Sequence, residues 1–411
     1  MIRHTLFLFL ALRASDVITL LGALYFVPKH VAAEELGAIL PATSFATFLA
    51  LPLFAFAMTV MKEASVLAAE NRRGELKALL RGAFAAGAAA IAILLMLAGA
   101  LVPAFLAKMK IADSAVGFFV LATAFLGCVA PVFTDQLQST RRFAALGAIE
   151  VGAALLRLLV LVVTMPFRAL AGFFAGNATV PVIRIAGAIW ALRAELRVPA
   201  KPFWTQTAVR RIALAFLAVL VYQFATMGVA LYEQTALRTL LPTAASAGYF
   251  MLTRLSDLLN YLTLPLILVL FPYTAAIAQR GETTTALVRK SIAVAFGAAT
   301  ILSLVYALWG AELISFIPHG EEYAGFAPLL PLLVLIGALT AGQVFYTNTE
   351  VSAARFGFLR WLVPLNLAEL AALHVLGPRL DSLTGFLSLF LAFAAIRFGG
   401  CYYALRQPAP A

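Results

Sequence analysis

The chain has 411 residues, 63% of them hydrophobic and only 12% charged, with a net charge of +11. A soluble domain carries roughly 25% charged residues, so this composition excludes an ordinary globular fold and implies a polytopic membrane protein. The basic surplus lies in short clusters between apolar runs, which assigns it to membrane topology and argues against a nucleic-acid partner.

A helix crossing a bilayer needs about 20 apolar residues. That rule predicts about twelve spans, at 5–27, 37–61, 82–107, 115–135, 144–166, 173–192, 212–232, 245–271, 291–317, 326–348, 359–377 and 383–405. The first begins like a short secretory leader, but its apolar run continues past Arg13 and Asp16 to Val27 without a convincing cleavage site, so it is read as a transmembrane helix. Pro41, Pro52, Pro131, Pro265 and Pro364 fall inside spans, where each removes a backbone hydrogen bond and can kink its helix. Cys128 and Cys401 sit in apolar runs, and His4, His30, His319 and His374 lack ligand spacing, so no disulfide, metal site or cofactor is expected. Connections are short, with no GxxxxGK[ST] phosphate loop and no serine-elbow, zinc or kinase motif, and no enzymatic activity is expected.

Basic loops stay on the cytoplasmic side. One set of alternating connections holds twenty Lys and Arg, including Lys62 to Arg81, the stretch from Arg193 to Arg211, and Arg397 with Arg406 at the end. The opposite set holds six: Lys29, Lys108, Lys110, Arg168, Arg238 and Arg379. Both termini are therefore expected in the cytoplasm.

Three short matches point to an internal repeat. LPL at 51–53 recurs at 264–266, RGE at 73–75 recurs at 280–282, and Arg142-Phe143 recurs as Arg355-Phe356. The offsets, 213, 207 and 213 residues, are each close to half the chain, and each match keeps its place in the predicted topology. The reading is two six-helix lobes, 1–200 and 201–411, joined by a cytoplasmic linker at 193–211 and related about an axis along the membrane normal. The linker's basic residues serve as a topology signal and could also touch anionic lipid.

Four arginines remain inside spans: Arg13, Arg157, Arg184 and Arg254. Placing a charge at the bilayer centre costs at least about 2.5–3.5 kcal/mol, which marks such residues as functional candidates. Arg13 with Asp16, in RASD, and Arg254 with Asp257, in RLSD, are three apart and can pair along one helix. The two stretches are 241 residues apart, in the first and eighth spans, and are not repeat partners. Glu150 and Arg157 are seven apart on one face of the fifth span, Arg184 lies in the sixth, and Asn366, Glu369 and His374 lie in the eleventh. An arginine-rich cavity suits a phosphate or carboxylate, because the guanidinium fork matches those groups. The candidate cavity residues are Arg13, Asp16, Glu150, Arg157, Arg184, Arg254, Asp257 and Glu369.

Several stretches carry a family resemblance: PKHVAAEELG at 28–37 with its partner LPTAASAGYF at 241–250, LFP at 270–272 followed by AQRGE at 278–282, and HGEEYAGFAPLLPLL at 319–333. In order and spacing they resemble the polysaccharide-transporter (Wzx-like) flippases of the multidrug/oligosaccharidyl-lipid/polysaccharide exporter superfamily. The resemblance covers most of the chain. It implies an all-helical, MATE-like bundle of two six-helix lobes, working as a monomer by alternating access in the bacterial inner membrane. The implied substrate is an undecaprenyl-pyrophosphate-linked oligosaccharide, with a proton or sodium counter-ion, membrane lipids and other polysaccharide-assembly proteins as partners. The chain departs from the lipid II flippase subgroup, which has two additional helices for which 411 residues leave no room. Two alternatives stay open: a drug/cation antiporter of the MATE type, and an integral-membrane polymerase or acyltransferase using His374.

Overall fold

The protein's structure is a computed structural model that describes residues 2–139, 142–193, 197, 199–279, 284–353 and 355–405. It is 88% helix, with no strand among the described residues. The first helix, α1 (Ile2–Leu21), runs into a π turn (Gly22–Phe26), where the Val27 N–H reaches the Gly22 carbonyl, and ends in a short turn, Val27–His30. A four-residue helix, Ala33–Leu36, begins on Glu34 and Glu35. There follow α2 (Ile39–Ala69), α3 (Arg73–Lys108), α4 (Ser114–Ser139), α5 (Phe143–Thr164), α6 (Ala169–Ala191) and α7 (Gln206–Leu240). The rest of the chain forms α8 (Thr243–Gln279), α9 (Thr285–Ser315), a 3-10 segment (Gly320–Leu329), α10 (Leu330–Ser352), α11 (Leu359–Leu376) and α12 (Leu383–Ala404).

Eleven of these stretches, among the described residues, are long and apolar enough to cross a membrane, and α8 covers the expected eighth span. Side chains such as Met96, Ile301 and Leu308 are 72%, 66% and 66% exposed. Such bare apolar faces suit lipid, and the helices satisfy their own backbone polar groups, as spanning requires. This is a multi-pass membrane protein.

Helices overrun the expected spans where polar residues keep good helix propensity. The third starts nine residues early, at Arg73, through RGELKALL, and the seventh continues to Leu240, eight residues past its expected end. Pro52, Pro131 and Pro364 lie inside α2, α4 and α11, as do Pro103 in α3 and Pro181 in α6. Pro41 instead falls in the first turn of α2, where its missing N–H costs nothing. The RGE copy at 280–282 lies outside the described residues, as do Arg141, Arg280 and Arg406 of the basic loops and the side chains of Pro265 and the LPL copy at 264–266.

Two compact units form. The first holds residues 1–31 and 38–231; the second holds 32–37 and 232–411. The division falls inside α7, not at residue 200 as the linker suggests. Within the first unit the start of α7 packs on α2 and α3: Ala208 and Ile212 join Val60, Leu76, Leu79 and Leu80, while Phe216 meets Phe56. The linker before it is docked there too. The Lys201 N–H donates to the Gly74 carbonyl at 2.9 Å, Phe203 is buried, and Trp204 Nε1 donates to the Ala78 carbonyl at 3.0 Å. Gly82 supplies the room, since a Cβ there would lie 2.1 Å from Trp204 Nε1. Gly82→Leu is therefore expected to expel the indole and cost about 1–3 kcal/mol. A red-shifted Trp204 emission, in a chain with Trp190, Trp309 and Trp361 replaced by Phe, checks this; an unshifted spectrum refutes the docking.

Helix neighbours recur six helices later. In the first unit α2 packs on α3 and α4, α4 on α6, and α5 on α6. In the second, α8 packs on α9 and α10, α10 on α12, and α11 on α12. The same pattern in both units is what an internal repeat produces.

Candidate functional site

In the first unit the charged residues converge on α1, α5 and α6. Arg13 Nη1 pairs with Asp16 Oδ2 at 3.0 Å, and both side chains keep about a fifth of their surface exposed, at 23% and 21%. An exposed pair at this spacing contributes about 0.2–0.5 kcal/mol, far less than the insertion cost of its charges, so stability does not explain its place. One turn inward in the cluster, Arg184 grips Glu150 Oε2 with Nη2 at 2.6 Å and Nε at 3.2 Å. Ser15 Oγ donates to the Glu150 carbonyl at 3.3 Å and ties α1 to α5. The charges acting on Asp16 are those of Arg13, favourable, and Glu150, unfavourable.

Arg157 belongs to a different set of contacts. Although it shares a helix face with Glu150, it is buried; its Nε donates to Asn177 Oδ1 at 2.7 Å, Nη1 reaches the Thr19 carbonyl at 3.5 Å, and its guanidinium lies 6.0 Å from the Phe173 ring centroid. It therefore braces α1 against α5 and α6 beside the π turn, where Gly22 leaves space for it.

In the second unit, Arg254 Nη1 pairs with Asp257 Oδ2 at 3.0 Å, Asn260 Nδ2 donates to Asp257 Oδ1 at 3.1 Å, and the guanidinium lies over Phe250 at 5.4 Å. These form a ladder along one face of α8. Tyr306 of α9 donates to the Leu255 carbonyl at 2.6 Å and fixes that turn.

A second cluster lies deeper. Glu369 of α11 is fully buried, and Arg397 of α12 donates through Nη1 both to Glu369 Oε2 and, at 3.4 Å, to Asn366 Oδ1. Glu233 of α7 is in hydrogen-bond contact with Glu369. Tyr249 stands between Glu233 and the Arg254–Asp257 pair, close enough to feel all three charges. His374 does not join Asn366 and Glu369; its Nδ1 meets the Tyr232 hydroxyl at 3.0 Å.

The structure thus holds Arg13, Asp16, Glu150 and Arg184 together in one unit, with Arg157 beside them on other partners, and Arg254, Asp257 and Glu369 in the other. It also corrects the sequence reading at two residues. Arg397, counted with the terminal basic loops, lies within α12 with its side chain 12% exposed. Glu233, left outside a seventh span ending at 232, lies within α7. No cluster of three or more His, Cys, Asp or Glu fit to hold a metal occurs among the described residues.

No protein-family profile and no curated protein matches the sequence. Solved structures do match. The lipid II flippase MurJ, in an inward closed conformation, aligns over 99% of this chain and 88% of its own, with 11% identity and a TM-score of 0.68. An inward-facing multidrug resistance MATE family transporter of the MOP superfamily aligns over 97% of this chain and 96% of its own, with 14% identity and a TM-score of 0.64. The Vibrio cholerae MATE transporter VcmN aligns over 98% and 95%, with 13% identity and a TM-score of 0.65. The chain therefore has the all-helical fold that the MurJ flippase shares with MATE transporters. These neighbours are transporters, not enzymes.

Proposed function

We propose that this protein is a MOP-type transporter and, more specifically, a flippase for lipid-linked oligosaccharide, with the pyrophosphate met by intramembrane arginines. The observation that carries the reading is the first unit's Arg13–Asp16 pair, left partly open beside Glu150–Arg184 on a fold shared with a lipid flippase. A guanidinium already set by a neighbouring carboxylate is oriented before an anion arrives, and it can exchange that carboxylate for phosphate oxygens. Asp257 and Asn260 offer hydrogen bonds of the kind sugar hydroxyls accept and donate. The lipid carrier places the protein in the bacterial inner membrane, next to the proteins that build and use the glycan.

The second unit supplies a coupling site in this reading. Two buried carboxyls, Glu233 and Glu369, face one guanidinium, so one further positive charge is needed, and a proton shared between them provides it. The same buried acids favour a second reading, a MATE-like cation antiporter, in which they would take the substrate's charge instead. Reconstituted vesicles separate the two. The flippase reading expects movement of a labelled polyprenyl-pyrophosphate sugar across the bilayer and no efflux of cationic dyes; dye efflux without sugar movement overturns it.

A further inference from the structure

The two deep clusters are copies of one motif. Asp16 on α1, Glu150 on α5 and Arg184 on α6 correspond to Glu233 on α7, Glu369 on α11 and Arg397 on α12, each six helices later. Their sequence offsets are 217, 219 and 213 residues, matching the 213 that separates Arg142-Phe143 from Arg355-Phe356. The contacts correspond as well: in each unit the arginine grips the central glutamate, and the third acid lies against that glutamate.

The copies differ in one charge. In the first unit Arg13, three residues before Asp16, brings a second guanidinium, so two carboxylates meet two cations. Three residues before Glu233 stands Ala230. The second unit therefore has two carboxyls and one cation, and Glu369 Oε1, in a fully buried residue, has no hydrogen-bond donor within reach. Two carboxyl groups in hydrogen-bond contact with no donor between them are complete only when one carries a proton. The other charges facing this copy do not fill the gap: Arg254 is engaged by Asp257 on its own helix, and His374 bonds to Tyr232. In the first copy Arg157 points to Asn177 and the Thr19 carbonyl.

We propose that Arg13 sets the polarity of the two otherwise equivalent sites: it makes the first copy a proton-free, anion-ready site, while the second, lacking it, exchanges a proton. This rests on the coupling role given above to Glu233 and Glu369. The arginine fixes which copy responds to pH and which to an anionic substrate. Removing it converts the first copy to the character of the second.

Difference infrared spectroscopy of the purified full chain, titrated with acid and base, reads protonated carboxyls directly and needs no transport. The wild type is expected to show one buried carboxylic-acid band, lost in Glu233→Gln. Arg13→Gln is expected to show a second band, about doubling the signal, which disappears again in Arg13→Gln/Asp16→Asn. Arg13→Lys keeps the cation and is expected to show one band only, which controls for misfolding together with a monodisperse elution profile. Ala230→Arg is expected to abolish the wild-type band by installing the missing cation. If Glu233→Gln leaves the wild-type band in place, the coupling reading fails. If that band behaves as expected but Arg13→Gln adds none, the inference about Arg13 alone is overturned.

Discussion

Arg397→Leu is expected to destabilise the protein by about 3–5 kcal/mol, the range seen when one partner of a buried ion pair is removed. The magnitude follows from where the charge is left. Glu369 has no exposed surface, takes its only guanidinium from Arg397 and already shares its neighbourhood with Glu233. Asn366 Oδ1 loses the same donor. The paired variant Arg397→Leu/Glu369→Leu is expected to recover most of the loss, because apolar replacement of a whole buried pair is often neutral or better. The thermal midpoint of the purified protein in detergent, with a denaturant series for the free energies, measures both. If Arg397→Leu costs less than about 1 kcal/mol, the interaction is worth no more than a surface pair and the cluster does not hold a buried charge.

That cluster also shows where the sequence could be read and where it could not. Hydropathy placed the helices well because lipid demands a long apolar run at every crossing, whatever the family. Helix ends were less legible: the same window that finds apolar runs stops at the first polar residues, although α3 and α7 stay helical through them. Glu233 was lost for that reason, lying one residue beyond the expected seventh span. Arg397 was lost to the counting of basic loops, which treats an arginine near a helix end as a topology signal and cannot see a buried glutamate on the next helix.

The repeat was legible as an offset but not as chemistry. LPL and Arg-Phe gave 213 residues, and that number also separates Arg184 from Arg397. It acquires meaning only once each arginine is seen holding a glutamate. RASD and RLSD drew attention because they look alike, yet they lie on α1 and α8, and each closes within its own helix. Glu150 and Arg157 warn in the opposite direction. Sharing a helix face, they still answer to different partners, because α6 offers Arg184 to one and Asn177 to the other.

Arg13→Ala is expected to reduce transport of a labelled polyprenyl-pyrophosphate sugar in vesicles by at least about tenfold, the equivalent of losing one charge-assisted hydrogen bond of 1.4 kcal/mol or more to an anion. Folding should hardly change, since the exposed Arg13–Asp16 pair contributes only about 0.2–0.5 kcal/mol to helix stability. Arg13→Lys is expected to fall between, keeping the charge but losing the two-pronged grip on phosphate oxygens. His374→Ala is expected to leave transport near the wild-type rate, because its hydrogen-bond partner is Tyr232 and neither residue touches the arginine pairs. Initial rates at saturating and limiting substrate separate binding from turnover: a loss confined to limiting substrate is the signature of a residue that meets the anion. Equal rates for Arg13→Ala and the wild type would remove Arg13 from the substrate path, and loss of transport in His374→Ala instead would revive an enzymatic reading of α11.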